Sequence, residues 1–189
     1  MAKYEIAQDI LEKYFPNQYT PQSIKDWQGP FLLHQDLIEY YAILGPLNIN
    51  LPGYGNNFYL PKLADLWQYQ EGYRWNGLTG EKLSDWKDEW LVVADEGADP
   101  FIFSRTTGIV LFDYHGSGIW EPKELFGNIE TMVTSLLILA SIVKSAGRNL
   151  TNEQGRIKED FREIAEEQLN NIMQSAFHTQ SVLLQFEWM

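Results

Sequence analysis

Two apolar segments joined by a short acidic loop constrain the fold of this chain more than any other feature. Residues 90–94 (Trp-Leu-Val-Val-Ala) and 101–103 (Phe-Ile-Phe) have the aromatic and β-branched content of strands. Between them, residues 95–100 hold three acids, a glycine and a proline. Because so short a connection can join only antiparallel strands, we predict neighbouring antiparallel strands at 90–94 and 101–104.

The same pattern continues into a larger sheet. A third strand is predicted at 109–114, after a hairpin turn at 105–108, and short strands are predicted at 47–50, 57–60 and 119–120. Apolar residues occur at both odd and even positions of the central strands. We therefore expect helices to cover much of both faces of the sheet.

Apolar residues at three- and four-residue spacing predict helices between and after these strands. We predict Asn128 as the N-cap of one of them and Gly147 as its end, and Thr151 with Gln154 indicates a capping box for the next. The predicted helices lie at residues 3–15, 34–44, 63–70, 128–144 and 157–177.

These elements predict an α+β fold, with an antiparallel or mixed central β-sheet flanked by helices and an additional C-terminal amphipathic helix. We expect a domain at residues 1–147 and a helical extension at 148–189. The extension either packs on that domain or mediates self-association into a homo-oligomer. Its last residues, 182–189, are apolar enough to form a terminal edge strand instead.

Charge limits the partners of this chain. Its net charge of −12 and pI near 4.6 argue against binding to nucleic acid or anionic membranes. A basic protein partner is favoured by charge complementarity, although negative charge also serves solubility alone. The longest strongly apolar segment, residues 132–143, is shorter than a membrane span, and residues 1–5 do not lead into a signal core. We expect a cytoplasmic protein.

No recognisable catalytic set emerges. The glycines at 53 and 55 fail the context of a dinucleotide loop, and residues 116–118 lack the spacing of a nucleophile elbow. The three histidines share no metal-ligand spacing, and the chain has no cysteine. Asp95, Glu96 and Asp99 could offer oxygens to calcium, but they do not fit an EF-hand loop and read better as an acidic β-turn. We expect no enzyme activity, no metal and no cofactor.

Residues 21–145 resemble the SUKH superfamily, which includes bacterial immunity proteins and fungal cell-wall assembly regulators. The resemblance rests on the order and spacing of several short segments: residues 21–24, 36–45, 90–103, 107–112, 115–116 and Trp120. It implies an α+β fold and a non-enzymatic role. Many bacterial members are thought to neutralise a toxin, often a nuclease or deaminase, and such toxins are commonly basic.

We therefore hypothesise an immunity protein that binds a toxin domain. Asp95, Glu96 and Asp99 would steer the basic partner, and Tyr73 and Trp75 would act as aromatic anchors. One alternative is an intracellular scaffold or regulatory protein. Another is a small-ligand-binding protein that uses the aromatic-rich residues 53–75.

Overall fold

The computed structural model describes residues 3–189, which build an antiparallel sheet with helices on one face and an aromatic-rich irregular segment on the other. The strands are paired in chain order. They are β1 Ile49–Leu51, β2 Phe58–Leu60, β3 Trp90–Glu96, β4 Asp99–Ser104, β5 Val110–Phe112 and β6 Lys123–Phe126. The α-helices of the described residues are α1 Glu5–Tyr14, α2 Gln35–Ile43, α3 Ile129–Ala146, α4 Glu159–Met173 and α5 Ala176–Gln185.

The central hairpin confirms the prediction made from the two apolar segments. β3 pairs with β4 so that Val92 lies opposite Ile102, and every strand pair in the sheet is antiparallel. The register shifts between Val92 and Ala94, so Val93 and Ala94 both enter the core of the helical face. The predicted α+β class is therefore confirmed. The prediction of a last strand at residues 119–120 is wrong, however, because these residues form no strand and β6 lies at 123–126.

Helix α3 is the centre of the helical face and contacts α1, α2 and α4. As predicted, the Asn128 side chain caps it, accepting a hydrogen bond from the Thr131 N–H at 2.8 Å, and Gly147 ends it with φ 51°. Residues 129–149 are long and apolar enough to cross a membrane by length and composition. Within it, 67% of the apolar 18-residue window is buried in the fold, and buried core helices meet the same length and composition test.

The other face of the sheet is covered by residues 69–90 rather than by helices, contrary to our expectation. Tyr73 and Trp86 pack there on the strand residues Trp90, Val92 and Ile102. The prediction of a helix at residues 63–70 is also wrong, because this stretch forms turns and a 3₁₀ helix at Gln68–Gln70.

A buried amide explains the irregular path of this segment. Gln70 is fully buried, and its side chain hydrogen-bonds Val92 twice: Nε2 donates to the carbonyl at 2.9 Å and Oε1 accepts from the N–H at 2.8 Å. β2 pairs with β3 only at residues 95 and 96. The Gln70 side chain thus takes the place of a strand partner for Val92.

The C-terminal segment departs from the single long helix predicted at 157–177. Thr151 forms a β-bridge with Ile157 instead of capping a helix, and α4 begins only at Glu159. Gln174 interrupts the helix with φ 53°, and α5 follows where a terminal edge strand was the alternative. After α5 the chain turns inward, and the Phe186 ring packs among those of three phenylalanines, Phe58, Phe101 and Phe112.

Candidate protein-binding surface

The acidic segment predicted as a binding site is the tight turn between β3 and β4. Gly97 and Ala98 occupy its two central positions with φ of 61° and 85°, the left-handed conformation that such hairpins require. The Asp95 side chain accepts a hydrogen bond from the Ala98 N–H at 3.1 Å and is only 8% exposed. Asp95 therefore stabilises the turn rather than presenting its charge to a partner.

The strand register divides the predicted acids between the two faces of the sheet. Glu96 lies opposite Phe58, whose ring is in the helical core, whereas Asp95 lies opposite Tyr59, which packs on Tyr69 in the aromatic layer. Asp99 is paired with Glu96 across the turn. Glu96 and Asp99 thus form the part of this segment that can meet a partner together.

Like charges crowd around Glu96. Partial burial, followed by the negative charges of Asp99, Glu187 and Asp95, raises the pKa of Glu96 to about 7. Burial also raises the pKa of Asp95. Within residues 3–189, no lysine, arginine or histidine forms an ion pair with any of these four carboxylates. The turn consequently concentrates carboxylates that are not ion-paired.

A glycine-containing loop, residues 113–120, lies against this turn. The His115 N–H donates a hydrogen bond to Asp99 Oδ1 at 2.7 Å, which joins the loop to the acidic pair. Tyr114 and Ile119 on the loop are 55% and 59% exposed. The Tyr114 hydroxyl also accepts a hydrogen bond from Gln185 Nε2 at 2.8 Å, so its position is defined.

We call Glu96, Asp99, Glu187, Tyr114 and Ile119 the turn surface. It combines apolar side chains exposed to solvent with unpaired carboxylates, which are the parts of a protein interface that supply contact area and steering. Sequence reasoning missed Tyr114 and Ile119. The Gly116-Ser117-Gly118 run was an available signal, because loops lie at the surface and expose the large residues that flank such a run.

The two aromatic residues predicted as anchors have other positions. Tyr73 is 7% exposed, and its hydroxyl donates to the Ala98 carbonyl at 2.9 Å, so it supports the turn from the aromatic layer. This burial raises the pKa of Tyr73 to about 12. The structure thus brings Tyr73 together with the three predicted acids, although its ring offers a partner little surface.

Trp75 lies apart from the turn. Its ring packs on that of Trp67, with centroids 5.0 Å apart, and the neighbouring Arg74 guanidinium lies over the Trp67 ring at 5.6 Å. Arg74 also donates a hydrogen bond to the carbonyl of Trp90, the first residue of β3. Trp90 and the turn are at opposite ends of that seven-residue strand, roughly 20 Å apart along it, and Arg74 thus extends away from the turn.

In the part of the chain that the structure describes, no group of three or more His, Cys, Asp or Glu side chains has the arrangement of a metal site. No family model matches this chain, and no curated protein or solved structure matches it either. Its function must therefore be argued from the surface itself.

Proposed function

We propose that this chain is a non-enzymatic protein-binding module of the SUKH type, an immunity protein that neutralises a basic toxin domain. The observation that carries the proposal is the turn surface, where carboxylates that form no ion pair lie beside the loop that exposes Tyr114 and Ile119. The resemblance of residues 21–145 to the superfamily supports the same function. Residues 1–147 would form the SUKH-like domain, 148–189 its packed extension, and the protein would act in the cytoplasm.

A cationic partner would relieve the electrostatic cost at Glu96. In the free protein this carboxylate is partly buried beside Asp99 and Glu187, and no described cation compensates it. A lysine or arginine of the partner placed there would form a charge-assisted hydrogen bond in a partly desolvated site, where such bonds are strong. The net charge of −12 would accelerate encounter with a basic domain at low salt.

The test begins with capture of a partner by the tagged protein from lysate of its source, together with the products of adjacent genes. We expect one basic toxin-like domain at near-equal stoichiometry. Calorimetry with that domain should then show that the double variant Glu96→Lys/Glu187→Lys weakens binding at least ~100-fold, since it replaces attraction with repulsion. Tyr114→Ala/Ile119→Ala should weaken it at least ~10-fold, because exposed apolar anchors contribute a large share of interface energy.

A matched control distinguishes this surface from general electrostatics. Glu166→Lys/Glu167→Lys makes the same charge change on the exposed side of α4. It should alter the affinity by less than about threefold at ~0.15 M salt, because charges farther away than a Debye length are screened. Equal losses in both double variants would remove the turn surface as the binding site. Recovery of several host proteins would instead favour the scaffold or regulatory alternative.

A further inference from the structure

A cavity of about 710 Å³ lies where the C-terminal extension meets the rest of the fold. It is formed by the loop before β2, the turn at residues 152–158, the start of α4 and the last residues of the chain. Its volume is in the range of small-molecule binding sites. Tyr54 and Trp188 form part of its wall.

Three basic side chains line this cavity in an otherwise acidic protein: Arg156, Lys158 and Arg162. Arg162 is paired with Glu159. The Lys158 ammonium donates only to the neutral amide oxygen of Asn149, and the Arg156 guanidinium has no hydrogen-bond or ion-pair partner among residues 3–189. Two of the three cations therefore lack a carboxylate partner within the described structure, although Glu187 also lines the cavity.

The turn that carries Arg156 is held in place by hydrogen bonds. Asn152 Oδ1 accepts from the N–H groups of Gln154 and Arg156, each at 3.0 Å, and the Tyr54 hydroxyl donates to the Gly155 carbonyl at 2.6 Å. The Thr151 bridge to Ile157 closes the base of the same turn. The backbone beneath the cations is thus ordered before any ligand arrives, which lowers the entropic cost of binding.

We infer that this cavity binds a small molecule through a phosphate group. A phosphate monoester carries close to two negative charges at neutral pH, which matches the two cations without a carboxylate partner. Guanidinium and ammonium groups recognise phosphate through short charge-assisted hydrogen bonds. The partly buried Tyr54 ring gives the wall an aromatic surface for the organic part of such a ligand, whereas Trp188, 1% exposed, supports the wall from within the core.

Calorimetry at fixed ionic strength tests this inference with adenosine 5′-monophosphate, inorganic phosphate and adenosine as probes. We expect at least one phosphate-bearing probe to bind at least ~10-fold more tightly than adenosine. The variant Arg156→Gln/Lys158→Gln should weaken that binding by at least ~30-fold, because it removes both charge-assisted contacts. Arg148→Gln is the control, because Arg148 is an exposed cation of the same segment that does not line the cavity, and it should change affinity by less than about twofold.

The two phosphate probes distinguish the source of the ligand. Tighter binding of adenosine 5′-monophosphate would identify an organic phosphate, whereas equal affinities would identify free phosphate as sufficient. Equal weakening by Arg148→Gln, or no difference between adenosine and the phosphate probes, would overturn the inference. None of these measurements needs a protein partner, so their result is independent of the proposed toxin binding.

Discussion

Replacing Glu96 by glutamine should change the pH dependence of stability in a defined direction. The pKa of Glu96 is raised from its ordinary value of 4.5 to about 7, chiefly by burial. The native state therefore holds this proton more tightly than the unfolded state does. Stability must then fall as pH rises from about 4.5 to about 7, and the Glu96 contribution is constant above that window. A glutamine side chain at this position carries no titrating proton, so the substitution should remove this loss.

The size of the effect follows from the same shift. A pKa change from 4.5 to about 7 corresponds to roughly 3 kcal/mol for a fully desolvated group. Glu96 is only partly buried, and solvent screening reduces this figure to about 1–2 kcal/mol. The stability difference between Glu96→Gln and the unchanged protein should therefore grow by about 1–2 kcal/mol, in favour of the variant, between about pH 4.5 and pH 8.

Urea unfolding at both pH values measures this difference. Comparing the variant with the unchanged protein at each pH cancels effects that do not depend on Glu96. Glu163→Gln, at an exposed position of α4, is the matched control and should show a pH-dependent change below about 0.5 kcal/mol. A Glu96→Gln effect that is the same at both pH values, or that favours the unchanged protein at the higher one, would refute the electrostatic argument.

Three further substitutions test the packing. Gln70→Ala should lower the free energy of unfolding in urea by about 3 kcal/mol, because it leaves both backbone groups of Val92 without their side-chain partner. Its control is Gln68→Ala, at an exposed position, which should lower that free energy by less than about 0.5 kcal/mol. Phe186→Ala should lower the free energy of unfolding by about 3–5 kcal/mol. Leu184→Ala is the control in the same assay, because its side chain is 63% exposed. A loss below about 1 kcal/mol for Phe186→Ala would contradict the position of the C-terminal segment in the core. Asn128→Ala should lower the midpoint of thermal unfolding by about 2–4 °C, because the lost N-cap contributes about 1 kcal/mol to stability. An unchanged midpoint would count against that cap.

The candidate site was only partly accessible to sequence reasoning. The acidic turn was predicted from the sequence, because a short loop between two apolar strands is a local signal, but Tyr73 supports that turn from the aromatic layer instead of being exposed as an anchor. The placement of Asp95 and Glu96 on opposite faces of the sheet depends on the strand register, since adjacent residues of a strand face opposite sides. The contribution of residues 113–120 depends on the hydrogen bond between His115 and Asp99, which are 16 positions apart along the chain.

The sequence by itself determined the elements whose signals are local and strong. The central strands, the cap of α3 at Asn128 and the end of α2 before Gly45 follow from apolar runs and terminal residues. The carbonyl oxygen of Thr20 would lie 1.9 Å from any Cβ at position 45, which explains why glycine is required there.

Only the tertiary structure decided the elements stabilised by distant partners. β6 has apolar residues at just two of its four positions and forms because β5 provides an edge. Residues 63–70 have helical spacing, yet the two hydrogen bonds between the Gln70 amide and Val92 stabilise the observed turns more than a continued helix would. Which side chains remained exposed on the turn surface, and which cations lined the C-terminal cavity, likewise depended on packing between segments far apart in sequence.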